Sequence, residues 1–242
     1  MGTVTSYEVV TRRFPLVSRS DGKVQMLVPN PHCRYCYKPI SEEYEASGMC
    51  YDCRAEPLLR GGLPHRLVAA TLYIPHVKGY EHSHEIIGLK EKGEFSNVYA
   101  EVLVKVLAQD RVDITDGVIV PIPQTTLRQG LTGPRALAAA LSGLTGLPTC
   151  ECLSFIRPVR SQKKLSKSER EENIRGAMSA KSWNSIGKIL LVDEVMTSGA
   201  TIREGTRALI AAGAQEVIGL IAGRDASLKS LEYAGVVKRV ED

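Results

Sequence analysis

The sequence predicts an α/β fold in which a parallel sheet is flanked by helices, with a small four-cysteine module in front of it. Two observations lead to this prediction. From about residue 66 onward, short apolar runs rich in β-branched residues alternate with segments whose apolar residues repeat at helical spacing. Before that point, two Cys-x2-Cys pairs stand in a segment with few apolar residues. Strand, helix and strand in this order favour parallel βαβ units with right-handed crossovers.

The individual elements follow from local patterns. Three apolar runs predict buried strands, at 117–123 (GVIVPIP), 188–192 (KILLV) and 216–222 (EVIGLIA). Three segments predict helices, at 95–107, 135–144 and 202–212. Pro134 is suited to open the second helix and Gly213 to end the third, since proline favours a first helical position and glycine the position after a last one. Three histidines around Tyr80 predict a mobile polar loop rather than a metal site: His76, His82 and His84.

Composition excludes several classes of protein. The chain has 242 residues, of which 43% are hydrophobic and 24% charged, as in ordinary globular proteins. No apolar run approaches the ~18–20 residues that span a bilayer, and the first 30 residues lack an apolar signal core. We therefore expect a cytoplasmic protein without a membrane span. The aromatic content of 5% argues against broad surfaces for stacking nucleic-acid bases.

The net charge of +4 is concentrated in one segment. Residues 157–175 hold seven basic and three acidic side chains, which accounts for the whole excess and leaves the rest of the chain neutral. Such a segment is either a solvated helical face or a contact for a polyanion such as phosphate, pyrophosphate or nucleic acid.

The four cysteines of the front module form two pairs, Cys33-x2-Cys36 and Cys50-x2-Cys53. Each pair places two thiolates on one turn, and two such turns complete a tetrahedron around zinc. Two disulfides are the alternative, which the absence of an export signal disfavours. Because four thiolates leave the ion no open position, we expect a structural Zn²⁺. The predicted division is an N-terminal extension over 1–30, a zinc ribbon over 31–60 and the larger domain over 61–242.

The most informative stretch is ILLVDEVMTSGAT, residues 189–201. A predicted strand ends in two consecutive carboxylates, Asp193 and Glu194, and a loop of small residues precedes the next helix. In an open parallel sheet, ligands bind beyond the carboxyl ends of strands, where the N–H groups of such a loop bind a phosphate monoester. The acids would accept hydrogen bonds from vicinal hydroxyls, so the pattern predicts a 5-phosphoribosyl ligand. An ordinary strand–turn–helix with a capping threonine is the alternative. The loop residues are Thr197, Ser198, Gly199, Ala200 and Thr201.

Residues 189–201 resemble the phosphoribosyl-pyrophosphate motif of type I phosphoribosyltransferases. More narrowly, the chain resembles the ComF family of competence-associated phosphoribosyltransferase-like proteins. Glu194 stands where these proteins usually have Asp, and Arg128 and Arg135 are the candidates to replace an arginine that the family carries after its proline strand. The narrower resemblance is carried by the four-cysteine ribbon, the Val-Pro-Ile-Pro run at 120–123, and a segment with Gln162, Leu165, Arg170 and Asn173.

This resemblance implies a type I phosphoribosyltransferase fold and transfer of a phosphoribosyl group between phosphoribosyl pyrophosphate, or a phosphoribosyl nucleotide, and an acceptor. Asp193 and Glu194, the catalytic candidates, would hold the ribose hydroxyls. The loop 197–201 would hold the 5-phosphate, and Mg²⁺ would bind the pyrophosphate. The basic segment would close over the pyrophosphate, with contacts from Lys163, Lys164 and Arg170, and Arg128 would contact the pyrophosphate from the stretch after the proline strand.

Two other functions compete with the enzyme. A non-enzymatic member would bind the same ligand and serve DNA uptake through single-stranded DNA or proteins of the uptake machinery. A zinc-ribbon nucleic-acid binder would use the second domain only as a scaffold, but the neutral charge outside 157–175 argues against it. The acceptor, and whether the protein forms an oligomer, follow from none of these patterns.

Overall fold

The computed structural model describes residues 6–55, 62–75, 77, 80–124, 131–160, 167–182 and 187–240. In chain order the strands are Ser6–Val9 (β1), Leu16–Ser18 (β2), Val24–Met26 (β3), Arg66–Tyr73 (β4), Val118–Pro121 (β5), Leu153–Phe155 (β6), Met178–Ala180 (β7), Lys188–Met196 (β8), Glu216–Asp225 (β9) and Val237–Val240 (β10). The helices are Glu42–Glu45 (α1), Tyr51–Ala55 (α2), His82–Lys92 (α3), Ser96–Gln109 (α4), Gly133–Thr145 (α5), Lys167–Ile174 (α6), Ala200–Ala211 (α7) and Leu228–Tyr233 (α8).

The predicted α/β class is confirmed. The core is a parallel sheet in which β4, β9, β8 and β5 lie side by side in that order. Val192 of β8 pairs with Pro121 of β5 on one side and with Leu220 of β9 on the other. Parallel strands covered on both faces need apolar residues on both, which explains why they read as continuous apolar runs in the sequence. All four strands end at the same edge of the sheet.

The predicted strands and helices are present, but β8 is longer than the sequence pattern indicates. The strand predicted over 188–192 continues to Met196, because its ladder with β9 runs on to the Met196–Arg224 pair. Asp193 and Glu194 therefore lie inside the strand rather than after it. In the same way, the strand predicted over 216–222 continues to Asp225.

The helices pack around this sheet. Helix α4 contacts α5 and β4, and α7 contacts β8, β9 and the antiparallel β6–β7 hairpin. The prediction of a mobile loop around Tyr80 is wrong for His82 and His84, which lie in α3. His82 is buried because its Nε2 accepts the Met26 N–H at 3.2 Å and its Nδ1 lies 3.2 Å from Glu85 Oε2. His76 lies outside the described residues.

The N-terminal segment packs against the larger part of the chain. Strand β1 pairs antiparallel with β10, from Ser6 opposite Val240 to Val9 opposite Val237. The predicted domain boundaries at residues 30 and 60 stay a prediction.

No helix among the described residues combines the length and the apolar character needed to cross a bilayer.

Candidate functional site

A cavity of about 600 Å³ lies at the carboxyl edge of the parallel sheet. Its walls come from the end of β4 at Tyr73, from residues 122–124 after β5, from residues 193–196 of β8 and from the loop and first turn that follow. Sites for small molecules have volumes of roughly 300–1,000 Å³. The position is the one at which open parallel sheets bind their ligands.

The two consecutive carboxylates line this cavity and are nearly buried. Asp193 is 8% exposed and Glu194 is 9% exposed. Burial, followed by the neighbouring Glu194 charge, raises the pKa of Asp193 well above its ordinary value. Lys90 of α3 lies within reach, with its Nζ 3.1 Å from Glu194 Oε1. The pair therefore suits a partner that supplies positive charge or hydroxyl donors.

Gly133, at the start of α5, leaves the space that Glu194 occupies. Its φ of 54° lies in the left-handed region, and a Cβ there would stand 2.8 Å from Gln124 Nε2 and 3.3 Å from Glu194 Oε2. Glycine is the residue that both adopts this φ easily and has no Cβ to collide with Gln124 and Glu194.

The small-residue loop links β8 to α7 and lines the same cavity. Gly199 is the residue before the helix and has a φ of 84°. A Cβ on Gly199 would lie 2.7 Å from Met196 Cε and 3.0 Å from an Arg203 guanidinium nitrogen, so a larger residue would displace both side chains. The first N–H groups of a helix have no intrahelical acceptor and lie at the positive end of its dipole. Thr197 to Thr201 therefore form a concave surface suited to an oxyanion.

Two arginines of the basic segment 157–175 also line the cavity, Arg160 and Arg170. The Arg170 guanidinium donates to Thr197 Oγ1 at 3.4 Å. Asn173 holds the main chain of Arg160 by two hydrogen bonds of 2.9 Å, one accepted from its N–H and one donated to its carbonyl. Glu171 forms an ion pair with Arg203 of α7. The described part of the segment is thus attached to the loop and to α7.

The four cysteines form a buried cluster whose sulfur atoms all lie within 4.8 Å of one another. Each Cys-x2-Cys turn, 33–36 and 50–53, forms one knuckle of the cluster. The two knuckles are joined through the main chain, where the Arg34 N–H donates to the Gly48 carbonyl at 2.9 Å. Hydrogen bonds from neighbouring thiols, Cys33 first, hold the pKa of Cys36 well below its usual range. Such a group can hold one metal ion, and four sulfur donors suit Zn²⁺.

The structure brings most of the predicted ligand residues together. Asp193, Glu194, the loop 197–201 and Arg170 line one cavity. Arg135 instead donates to Glu151 at 2.7 Å, and it is absent from the described lining of the cavity. The predicted residues Arg128, Lys163 and Lys164 lie outside the described residues.

Sequence reasoning missed two cations that contact site residues. Lys90 reaches Glu194 from α3, and Arg224, at the end of β9, donates to the carbonyls of Met196 and Thr197. Neither position has a signal in the local pattern, since a lysine on a helix and an arginine after an apolar run are common on protein surfaces. The contacts depend on elements that are distant in the chain.

No family profile and no curated protein sequence matches the chain. Among solved structures, glutamine phosphoribosylpyrophosphate amidotransferase of B. subtilis, complexed with ADP and GMP, is 26% identical over 52% of this chain, with a TM-score of 0.34. The match spans only 26% of the amidotransferase chain.

Two adenine phosphoribosyltransferases are also among the solved structures that match part of the chain. The Leishmania tarentolae enzyme is 12% identical, with 53% of this chain and 70% of that chain covered and a TM-score of 0.31. The Leishmania donovani enzyme is 10% identical, with 55% and 68% covered and a TM-score of 0.32.

Proposed function

We propose that the protein binds phosphoribosyl pyrophosphate with Mg²⁺ in the cavity at the sheet edge and acts as a phosphoribosyltransferase. One observation supports this most: a paired carboxylate, a small-residue loop at a helix N-terminus and two arginines line a single cavity. These three groups match the three polar parts of the ligand, which are the ribose hydroxyls, the 5-phosphate and the pyrophosphate.

Each part of the ligand has a partner with suitable chemistry. The loop 197–201 receives the 5-phosphate through main-chain N–H groups. Asp193 and Glu194 accept hydrogen bonds from the two ribose hydroxyls, and charge-assisted bonds of this kind are strong. Arg160 and Arg170, which line the cavity and carry permanent positive charge, receive the pyrophosphate.

The reaction would exchange one bond at the anomeric carbon of ribose. The bond to the pyrophosphate oxygen would break with both electrons leaving on pyrophosphate, a bond to the acceptor would form, and the acceptor would release its proton to solvent. The residues contribute by positioning and by stabilising charge as it develops on pyrophosphate. The carboxylates of Asp193 and Glu194 fit the oxygen ligands that Mg²⁺ prefers. When bound, Mg²⁺ would neutralise part of the charge on the leaving group.

We further propose that the cysteine cluster binds a structural Zn²⁺ and that the protein is of the ComF type. The cluster supports the first point, because it is buried and offers four sulfur donors and no open position. The combination of this cluster with the Val-Pro-Ile-Pro run and the segment around Arg170 and Asn173 supports the second. A role in DNA uptake rests on that resemblance alone.

Calorimetric titration of phosphoribosyl pyrophosphate with Mg²⁺, and of ribose 5-phosphate, tests the proposal. Gly199→Val should abolish measurable binding of both, because the added carbons collide with Met196 and Arg203 and strain the loop. Asp193→Ala should weaken both ligands on the order of tenfold to a hundredfold, since a hydrogen bond to a charged group contributes about 1.5–3 kcal/mol.

Two matched variants serve as controls. Gly146 has a similar φ of 73° after α5, with open space around it, and Asp113 is an exposed aspartate paired with Lys188. Gly146→Val and Asp113→Ala should bind both ligands as the parent does. If Gly199→Val and Asp193→Ala also bind like the parent, the ligand site lies elsewhere. Binding of single-stranded DNA by a parent that binds neither ligand would favour the nucleic-acid function.

A further inference from the structure

Arg224 is one of the largest fully buried side chains of the protein, with 2% of its surface exposed. It follows the apolar part of β9, opposite Met196 of β8 in the sheet register. Its hydrogen-bond acceptors among the described residues are main-chain carbonyls. A buried guanidinium needs such acceptors, because an unsatisfied buried charge is very costly.

One of these carbonyls is that of the neighbouring Asp225, and the others belong to two segments that are far apart in the chain. Arg224 donates from Nε to the Cys36 carbonyl at 2.5 Å, inside the cysteine cluster. It donates from one terminal nitrogen to the carbonyls of Met196 at 2.6 Å and Thr197 at 2.8 Å, where the cavity loop begins. One rigid planar group therefore joins the metal-binding knuckle to the loop that lines the cavity.

Main-chain hydrogen bonds and one residue with a positive φ define the shape of the first cysteine pair's turn, residues 33–38. The Cys33 N–H donates to the Lys38 carbonyl at 2.7 Å, and the Tyr37 N–H donates to the Cys33 carbonyl at 2.8 Å. Tyr37 follows Cys36 with a φ of 60°, a conformation that a bulky residue rarely adopts. A metal ion that ties Cys33 and Cys36 to the second knuckle would hold the Cys36 carbonyl in place, and its loss would release that constraint.

We propose that Arg224 is a positioning residue that makes the shape of the ligand loop depend on the metal ion at the four cysteines. With the ion bound, the Cys36 carbonyl fixes the guanidinium, and the guanidinium fixes the start of the loop. Without the ion, Arg224 loses one fixed acceptor and the loop loses its orientation toward the 5-phosphate. The inference rests on the proposed phosphoribosyl site, and it gives the cysteine module a part in ligand binding in addition to its own folding.

The experiment compares the parent, Arg224→Gln and Arg224→Lys, each with its zinc and after removal of zinc by a chelator. Elemental analysis gives the zinc content, calorimetry gives the affinity for ribose 5-phosphate, and amide hydrogen exchange reports on residues 194–201. Arg207→Lys is the matched control, since Arg207 also donates to a carbonyl, that of Met178 at 2.8 Å, away from the cysteines.

We expect one zinc per chain in all four proteins. In the parent, zinc removal should lower the affinity for ribose 5-phosphate about tenfold or more and should raise the rate of amide exchange in residues 194–201. Both changes are expected because the hydrogen bonds from the charged Arg224 to the loop are loosened. Arg224→Gln should show a similar loss with zinc bound, and zinc removal should then change its affinity less than about twofold. Arg224→Lys provides the same comparison if the glutamine variant does not fold. Arg207→Lys should behave like the parent.

Several results would overturn the inference. The parent could contain no zinc, or its affinity and amide exchange could be unchanged by zinc removal. The third such result is that the affinity losses caused by Arg224→Gln and by zinc removal add fully. If the zinc-loaded parent binds no phosphoribosyl ligand, the proposed function fails instead. Amide exchange in 194–201 then decides the inference, because unchanged exchange on zinc removal contradicts it and increased exchange supports it.

Discussion

Asp193 lies inside β8 with the Glu194 carboxylate beside it, and its burial raises its pKa well above the ordinary value of 3.8. Protonation of such a group stabilises the folded state relative to the unfolded chain. That stabilisation is complete below the ordinary pKa and is lost as the pH rises through the raised pKa of the folded protein. Lys90 acts in the opposite direction, but burial and Glu194 outweigh it.

Asp193→Asn should therefore stabilise the protein at neutral pH. The amide keeps an oxygen for the Glu194 N–H, which Asp193 Oδ1 accepts at 2.9 Å, and removes the buried charge. We expect the free energy of unfolding at pH 8 to rise, and the gain to shrink toward zero near pH 4, where the aspartate becomes protonated in the unfolded chain as well. Urea unfolding between pH 4 and 8 measures this.

The aspartate at position 113 provides a control of opposite sign. Its hydrogen bond from Lys188 lowers the pKa of Asp113, so Asp113→Asn should give no stabilisation at pH 8. A parent more stable than Asp193→Asn at pH 8 would show that Lys90 compensates the buried charge fully.

Among the elements, the described parts of the basic segment, 157–160 and 167–175, are held by neighbouring structure. Strands β6 and β7 pair from Leu153 opposite Ala180 to Phe155 opposite Met178, and the segment leaves and returns between them. Within the segment, the side chain of Asn173 in α6 forms two hydrogen bonds with the main chain of Arg160. The strand pair and Asn173 therefore anchor the segment, in addition to the contacts that Arg170 and Glu171 make with Thr197 and Arg203.

Asn173→Ala should release this segment while the sheet stays folded. Two hydrogen bonds are lost, each worth about 0.5–1.5 kcal/mol, so tryptic cleavage within 157–175 should become several-fold faster with a small change in thermal stability. Affinity for phosphoribosyl pyrophosphate should fall, and affinity for ribose 5-phosphate should change little, as titration of both ligands will show. Asn97→Ala, on an exposed position of α4, is the control. Equal losses for the two ligands would mean that the segment does not contact the pyrophosphate.

At the scale of the whole molecule, a buried ion pair ties the N-terminal segment to the helices around the sheet. The Arg19 guanidinium donates to Glu85 of α3 at 2.8 and 2.9 Å, and the Arg19 side chain is fully buried. Burial alone would raise the pKa of Glu85, but hydrogen bonds from His82 and Arg19 hold it below the ordinary 4.5. The pair therefore stabilises the fold above that pH, and its contribution is lost as the pH falls.

Replacing only Arg19 should lower the free energy of unfolding far more than replacing Arg19 and Glu85 together. Arg19→Met leaves the Glu85 charge buried without its cation, and we expect a loss of about 3–5 kcal/mol in urea unfolding at pH 7. The double variant Arg19→Met/Glu85→Gln should recover most of it. The exposed pair Lys238–Glu8 is the control, where the same cycle should give at most about 1 kcal/mol. A double variant as unstable as the sum of the single ones would contradict this coupling.

Local sequence patterns are sufficient to predict the elements whose cause is local. The buried strands follow from continuous apolar runs, the cysteine cluster from the spacing of Cys33, Cys36, Cys50 and Cys53, and the loop before α7 from small residues after a strand. The neighbouring position of Asp193 and the loop also follows, since they are only a few residues apart. These features depend on period and spacing, which a linear pattern records.

The distant groups that meet at the site are visible only once the elements are packed together. Lys90 reaches Glu194 from another helix, and Arg224 joins Cys36 to Thr197 across more than a hundred residues of chain. His82 is polar, and its sequence neighbourhood suggests a loop, yet Glu85 and the main chain of Met26 supply the partners that allow it to be buried. Such contacts are set by the packing of whole elements, because the free energy of burying a polar group depends on partners that its neighbours in sequence do not reveal.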